Sequence, residues 1–314
     1  MFLFTYHLQL ATVVYGAFEN MGRGARSIAM GSAYTAISDD LNAMQYNPAG
    51  LAILQKCEVT VNYGKLYLGL TDGSNIANSY FAFGCPVQKW GLGAFGLAYS
   101  ELDLTGYYKE DIFTFSYSKE ILNNLLLGLS LKRLHKSAES DDYTLIDPAF
   151  RKYGQSLSAY SFDCGLLYRL GKGISLGFAM KDLNRPDMGF TEENRLPVEY
   201  RWGASYRRES AVFAFDLIKK NNDIVYDAGV EKWFFKNYAL RAGLDFSSMN
   251  RRNLTAGTGY RFRDFQFDYS FVLPAAGIEA TSGSHNISLT YRFGNEPKKK
   301  VEKGRILKPK TALR

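Results

Sequence analysis

Residues 22–51 read GRGARSIAMGSAYTAISDDLNAMQYNPAGL, and the reading of this stretch decides the fold. It is rich in Gly, Ala and Ser, and its pattern suits neither an amphipathic surface helix nor a half-buried strand. Small residues are what a segment needs when its backbone must lie close against a surrounding wall. Beyond Leu51 the chain changes character and becomes a series of strand-like runs ending at Phe293. Those runs are expected to close into an all-β, antiparallel transmembrane barrel (residues 56–293), with residues 17–55 as a hatch inside its lumen.

Period-two alternation gives fourteen candidate strands: 57–68, 76–84, 90–100, 110–118, 123–134, 157–169, 172–181, 197–207, 210–218, 223–234, 237–247, 252–262, 264–272 and 284–293. In the last, Ile287, Leu289, Tyr291 and Phe293 oppose Asn286, Ser288, Thr290 and Arg292. Runs of roughly nine to eleven residues are what a tilted β-span needs. The 22 Tyr and 22 Phe suit the aromatic girdles of a barrel. A mean hydropathy of −0.21, with no long apolar run after the N-terminus, argues against helical spans. It does not argue against a barrel, half of whose strand residues face water. The connections alternate: one set is short (85–89, 119–122, 170–171), and the other includes 101–109, 135–155, 182–196 and 272–283. Short turns on one side and long loops on the other is the outer-membrane pattern.

The polar face is charged. Asp163, Arg169, Glu199, Arg201, Asp227, Glu231, Arg241, Asp245, Arg261, Asp268 and Arg292 all fall on it, with Leu167 and Val212 among its few apolar members. Mixed charge is costly against lipid but acceptable in a lumen where each charge finds a partner. Arg26, Asp39 and Asp40 are the obvious hatch partners. In Asn47-Pro48 the proline keeps Asn47 out of the helical region, leaving the Asn amide to satisfy nearby backbone groups.

Gly24-Ala25-Arg26, Ala29-Met30-Gly31, Ala36-Ile37-Ser38-Asp39-Asp40, Asn42-Ala43 and Asn47-Pro48-Ala49-Gly50-Leu51 together resemble the N-terminal hatch of FadL-like outer-membrane proteins, and most closely the PorV/PorQ branch. Ser32 departs from the pattern, which has a second Gly after Gly31. The resemblance implies a barrel of about 14 strands in the cell outer membrane. It also implies a partner or cargo protein held by extracellular loops near a type IX translocon. The alternative is a FadL-like channel passing a hydrophobic small molecule.

The remaining features exclude more than they assign. Residues 1–16 read as a signal-peptide h-region with Val14 and Gly16 ahead of a cleavage point at Ala17. Cys57, Cys85 and Cys164 suggest neither a disulfide framework nor a zinc site, and His7, His135 and His285 are scattered, so neither a metal nor a cofactor is expected. Net charge is +7, of which residues 294–314 carry +6, leaving a nearly neutral body. A basic tail is not a basic groove with interleaved aromatics, so nucleic acid is not an expected partner. His135, Ser137, Ser140, Asp141 and Asp142 have the letters of a triad but sit in one loop, without a triad's geometry. The chain is expected to be no enzyme.

Residues 294–314 are expected to be a periplasmic extension, too poor in apolar residues to fold alone. An epitope at Arg314 should survive protease added to intact cells; its cleavage there would invert the topology.

Overall fold

The computed structural model describes residues 18, 22–70, 73–87, 92–139, 146, 150, 154–249, 251–276 and 281–294. The expected signal segment at 1–16 and nearly all of the expected tail at 294–314 lie outside them. Fourteen antiparallel strands follow in order: β1 (Cys57–Leu66), β2 (Ile76–Pro86), β3 (Ala94–Leu104), β4 (Tyr108–Leu122), β5 (Leu125–Ala138), β6 (Ser156–Gly171), β7 (Ile174–Lys181), β8 (Glu199–Arg208), β9 (Ala211–Lys220), β10 (Asp223–Phe234), β11 (Tyr238–Ser247), β12 (Arg252–Phe262), β13 (Phe265–Ala276) and β14 (Ser284–Phe293). Each pairs with its sequence neighbour, and β14 pairs back onto β1 from Cys57↔Phe293 to Lys65↔His285, closing the barrel. Closure removes the sheet edges, whose unpaired N–H and C=O groups lipid could not satisfy.

Alternation decides which face of each strand meets lipid. On β9, Phe213 and Phe215 are about half exposed (52% and 47%), whereas Asp216 between β9's apolar neighbours is fully buried. On β8, Trp202 points outward and Arg201 inward. Cys164 shares the outward register of Phe162 and Leu166, which are exposed. Among the described residues no helix is long and apolar enough to cross a membrane.

The strand bounds depart from the sequence reading in one informative way. β4, β5 and β6 are 15, 14 and 16 residues long, beyond what a span requires. The ends of β3, β4 and β5 carry charges that read as loop, yet the ladder continues through them: Asp103 pairs with Lys109 in register, and Lys109 Nζ lies 3.8 Å from Glu101. The expected loop 101–109 therefore shrinks to 105–107, and His135 to Ala138 belong to β5 rather than to a loop. Long connections (67–75, 139–155, 182–198) all fall at one rim, which also holds the short links 105–107, 221–222 and 248–251; the opposite rim has turns at 123–124, 172–173, 209–210, 235–237 and 263–264, with 87–93 its longest. These are called the long-loop and short-turn rims; in outer-membrane barrels the short turns are periplasmic.

One expectation is corrected. Cys57 and Cys85 form a disulfide between β1 and β2. Their separation of 28 residues has no signature in sequence, but the hairpin register that sets Glu58 opposite Gly84 also sets Cys57 opposite Cys85. Cys164 is the free cysteine. In denaturant without reductant, a maleimide should label one cysteine per chain, and all three after reduction; three labelled at the outset would refute the link.

Candidate functional site

Within the wall lies the N-terminal segment. α1 (Ala25–Ile28), α2 (Ala43–Tyr46) and a 3-10 turn (Pro48–Ile53) are single turns joined by bends, and most residues from Arg23 to Leu51 are buried. Such short helices do not persist alone in water; their stability here comes from contact with the wall. The wall accommodates them with glycine. Gly128 on β5 faces Ala49 and Gly165 on β6 faces Asn47 so closely that a Cβ at either would overlap the segment. Ser32, where the motif leads one to expect Gly, sits at φ 65°, in the left-handed region that Gly favours.

Arg26 organises one half of the segment. Its Nε and Nη2 each donate to Glu231 of β10 at 2.9 Å, and its Nη1 reaches Asp39 at 2.6 Å and Asp40 at 3.0 Å. Glu231 also accepts from Arg241 Nε at 2.7 Å, and Arg241 lies 2.8 Å from Asp268. Tyr34 donates to Asp40 at 2.7 Å, and Arg207 at the end of β8 holds the other side of Asp39 at 2.6 Å. Burial pushes the Asp39 carboxyl up, but Arg26 and Arg207 more than offset this and hold it below the usual carboxylate range. Burial likewise opposes the Arg26 charge, and the carboxylates around it, Asp39 and Glu231 foremost, outweigh burial, so Arg26 stays firmly protonated.

A second anchor was not visible in sequence. Asp216 Oδ2 accepts from the backbone N–H groups of Tyr34 and Thr35 at 3.0 and 2.9 Å and from the Thr35 hydroxyl at 2.6 Å. Arg201 Nε donates to the same hydroxyl at 3.1 Å, while its Nη1 meets Glu199 at 3.1 Å and its Nη2 lies 3.6 Å from Asp227. Asn47 is a third: its Nδ2 donates to the carbonyls of Thr35 and Leu166 at 2.8 and 2.9 Å, and its Oδ1 accepts from the Ala49 N–H at 3.2 Å. Pro48 and Ala49 lie against Gly128, Gly50 against Ser38, and Gly31 against Leu244.

The expected charges thus divide. Arg26, Asp39, Asp40, Arg241 and Asp268 join one cluster through Glu231. Arg201 belongs to the Thr35–Asp216 cluster. Asp245 pairs with Arg251 at 3.3 Å towards the long-loop rim. Arg261 and Arg292 meet at Gln266 near the short-turn rim, at 2.9 and 3.1 Å, with Arg292 also 2.8 Å from Glu58. A further network, Lys132 with Asp163 and Asp182 at 2.8 and 2.7 Å, ties β5 and β6 to the start of the 182–198 loop. His135 shares a hydrogen bond with Ser158 on the neighbouring strand, and Ser140, Asp141 and Asp142 lie outside the described residues. No cluster of metal-ligating side chains occurs among the described residues.

Pairing and filling is the chemistry of a structural lumen, and the comparisons agree with that architecture. Residues 38–291 match the model of the type IX secretion system membrane protein PorP/SprF. The chain belongs to the PorP/SprF family. It is an outer-membrane β-barrel. The family matched is thus PorP/SprF, whereas the hatch motif resembles PorV/PorQ. No curated protein matches the chain. Among solved structures, the CymD monoaromatic hydrocarbon channel is similar with TM-score 0.67 at 15% identity, over 90% of this chain and 100% of that one. The Ralstonia pickettii toluene transporter TbuX gives 0.64 at 14%, over 87% and 99%. A Pseudomonas aeruginosa FadL homologue gives 0.59 at 14%, over 83% and 96%. At these identities the likeness is one of fold.

Removing Arg26 while leaving its carboxylates buried should cost roughly 3–5 kcal/mol, the range for breaking a buried pair from one side. Arg26→Gln should therefore lose its folded gel mobility at a lower temperature than wild type, and Arg26→Met with Glu231→Leu should recover part of the difference. An unchanged Arg26→Gln would show that the cluster does not hold the segment.

Proposed function

We propose that this PorP/SprF member is a non-enzymatic binding or shuttling component of type IX protein secretion, with residues 17–55 acting as a hatch. The observation that carries the reading is the lumen itself. Its interior is occupied by a segment held through a buried ion pair to β10 and hydrogen bonds to Arg201 of β8 and Asp216 of β9, and the cavities beside that segment carry the charged side chains Arg169, Arg207, Asp245 and Arg251 among their apolar ones. A conduit for apolar molecules requires a predominantly apolar lining.

The long-loop rim is the surface left for a protein partner. There the two longest connections meet: the Phe150 and Phe190 rings lie edge to face at 5.8 Å, with Lys136 Nζ 4.1 Å over Phe190. The 182–198 loop is packed down, its Met188 buried with Leu134 and Leu196. Loops that recognise proteins carry aromatic and cationic side chains on a rigid scaffold. The resemblance of the hatch motif to PorV/PorQ supports the same class of role. The hydrocarbon channels of the same fold motivate the alternative, passage of a hydrophobic small molecule, for which those proteins are named.

Replacing residues 141–153 by a short Gly-Ser turn keeps the Ala138–Gln155 backbone bond that ends the β5–β6 ladder. This variant should assemble normally yet fail to recover a protein partner that wild type retains on affinity purification from native membranes. Fatty-acid uptake in a strain lacking the protein should be normal. Lost uptake with no partner recovered by wild type would promote the channel instead.

A further inference from the structure

At the short-turn rim the lumen opens into a cavity of about 590 Å³. Seven of its lining side chains are cationic and three are acidic. The acids are all committed: Asp39 to Arg26 and Arg207, Asp264 to Lys56, and Glu58 to Arg292. That leaves Lys236, Arg261 and Arg263 with no acidic partner among the described residues. Arg261 stacks 4.4 Å from the Trp233 ring and donates one bond to Gln266, but its Nε is buried with no hydrogen-bond partner there. A guanidinium with a donor left unpaired, lining a cavity with surplus positive charge, suits an anion.

We propose that this mouth binds an acidic peptide segment. The volume falls in the range of sites that take molecules of drug size, well beyond one phosphate or carboxylate. Ile53, Leu54 and Trp233 give it an apolar wall alongside the charges, which suits a chain carrying spaced carboxylates and aliphatic stems. Every lining residue belongs to the inner face, the turns or the lumen segment, so bilayer lipid, which covers the outer face, would have to abandon its acyl environment to deliver a headgroup. Residues 294–314, which leave the barrel at this same rim, carry +6 and would be repelled. By the orientation rule for short turns the mouth faces the periplasm, so the ligand would be an acidic segment of a periplasmic protein. This site does not rest on the shuttle reading: it is scored on purified protein with no secretion partner present, so either can fail alone.

The turns supply clean variants. Lys236 and Arg263 sit at φ 66° and 54°, where Asn is well tolerated, so Lys236→Asn with Arg263→Asn removes two charges without straining the backbone. Arg261→Gln removes the third. The full chain in neutral detergent is titrated against a fluorescein-labelled octapeptide of alternating Glu and Ala, and against its Gln counterpart. The Glu peptide should bind, weaken as salt rises, and lose at least tenfold in affinity in both the double variant and Arg261→Gln; the Gln peptide should bind at least tenfold more weakly. Folded gel mobility reports that each variant is intact. Equal binding of the Gln peptide, or unchanged binding by folded variants, overturns the proposal. So does displacement of the peptide by inorganic phosphate at matched concentration, which would make this a simple anion site, or by phosphatidylglycerol nanodiscs, which would make it a lipid site.

Discussion

A closed barrel of fourteen strands encloses more space than its own inward side chains can fill; about eight strands is the size at which they suffice. That surplus is the constraint on which the rest of this molecule depends. Here the space is taken by a folded-back length of the same chain, and the wall's inward face is shaped by it. Where backbone meets backbone the wall carries glycine, as at Gly128 and Gly165. Where the segment's polar groups would otherwise lie unpaired, the wall supplies charge, as Glu231 does for Arg26 and Asp216 for two backbone N–H groups. A buried polar group without such a partner costs about 1–3 kcal/mol, so the charges of the wall and those of the segment must match as a set.

Much of this was legible in the sequence because the wall has two faces with different solvents. Strand 284–293 alternates so strictly that its bounds in sequence and structure coincide, as do those of 223–234 and 252–262. The charged ends of β3 to β5 read as loop because charge marks loops in soluble proteins, whereas a strand that outruns the bilayer keeps its ladder in water. Arg26, Asp39 and Asp40 stand out as charges in a run of small residues. Asp216 does not: its inward companions Val212, Ala214 and Ile218 are apolar, so the row reads as greasy throughout, and its partner Thr35 is one small polar residue among many. The Cys57–Cys85 link was hidden for a related reason, since only the strand register makes the two neighbours.

The same architecture houses channels named for aromatic hydrocarbons at 13–15% identity and a family named for protein secretion. The outward face is set by lipid and so converges; what differs is how the lumen is filled and what the rims display.

The segment inside the lumen is made before anything it touches. Arg26 lies 205 residues ahead of Glu231, and Ala25 lies 263 ahead of Ser288, whose hydroxyl accepts its N–H. Leu54, at its end, is followed almost at once by β1, the strand against which β14 must finally seal. Until β10 is made, Arg26 has only Asp39 and Asp40 of its own segment to pair with, and until β14 is made the Ala25 N–H has no Ser288 to meet. Filling is therefore completed only with the last strand, across a span of 263 residues from Ala25 to Ser288. Loop-closure entropy must be met before contacts this distant reward it, so the lumen takes its filling late, after most of the wall has been made.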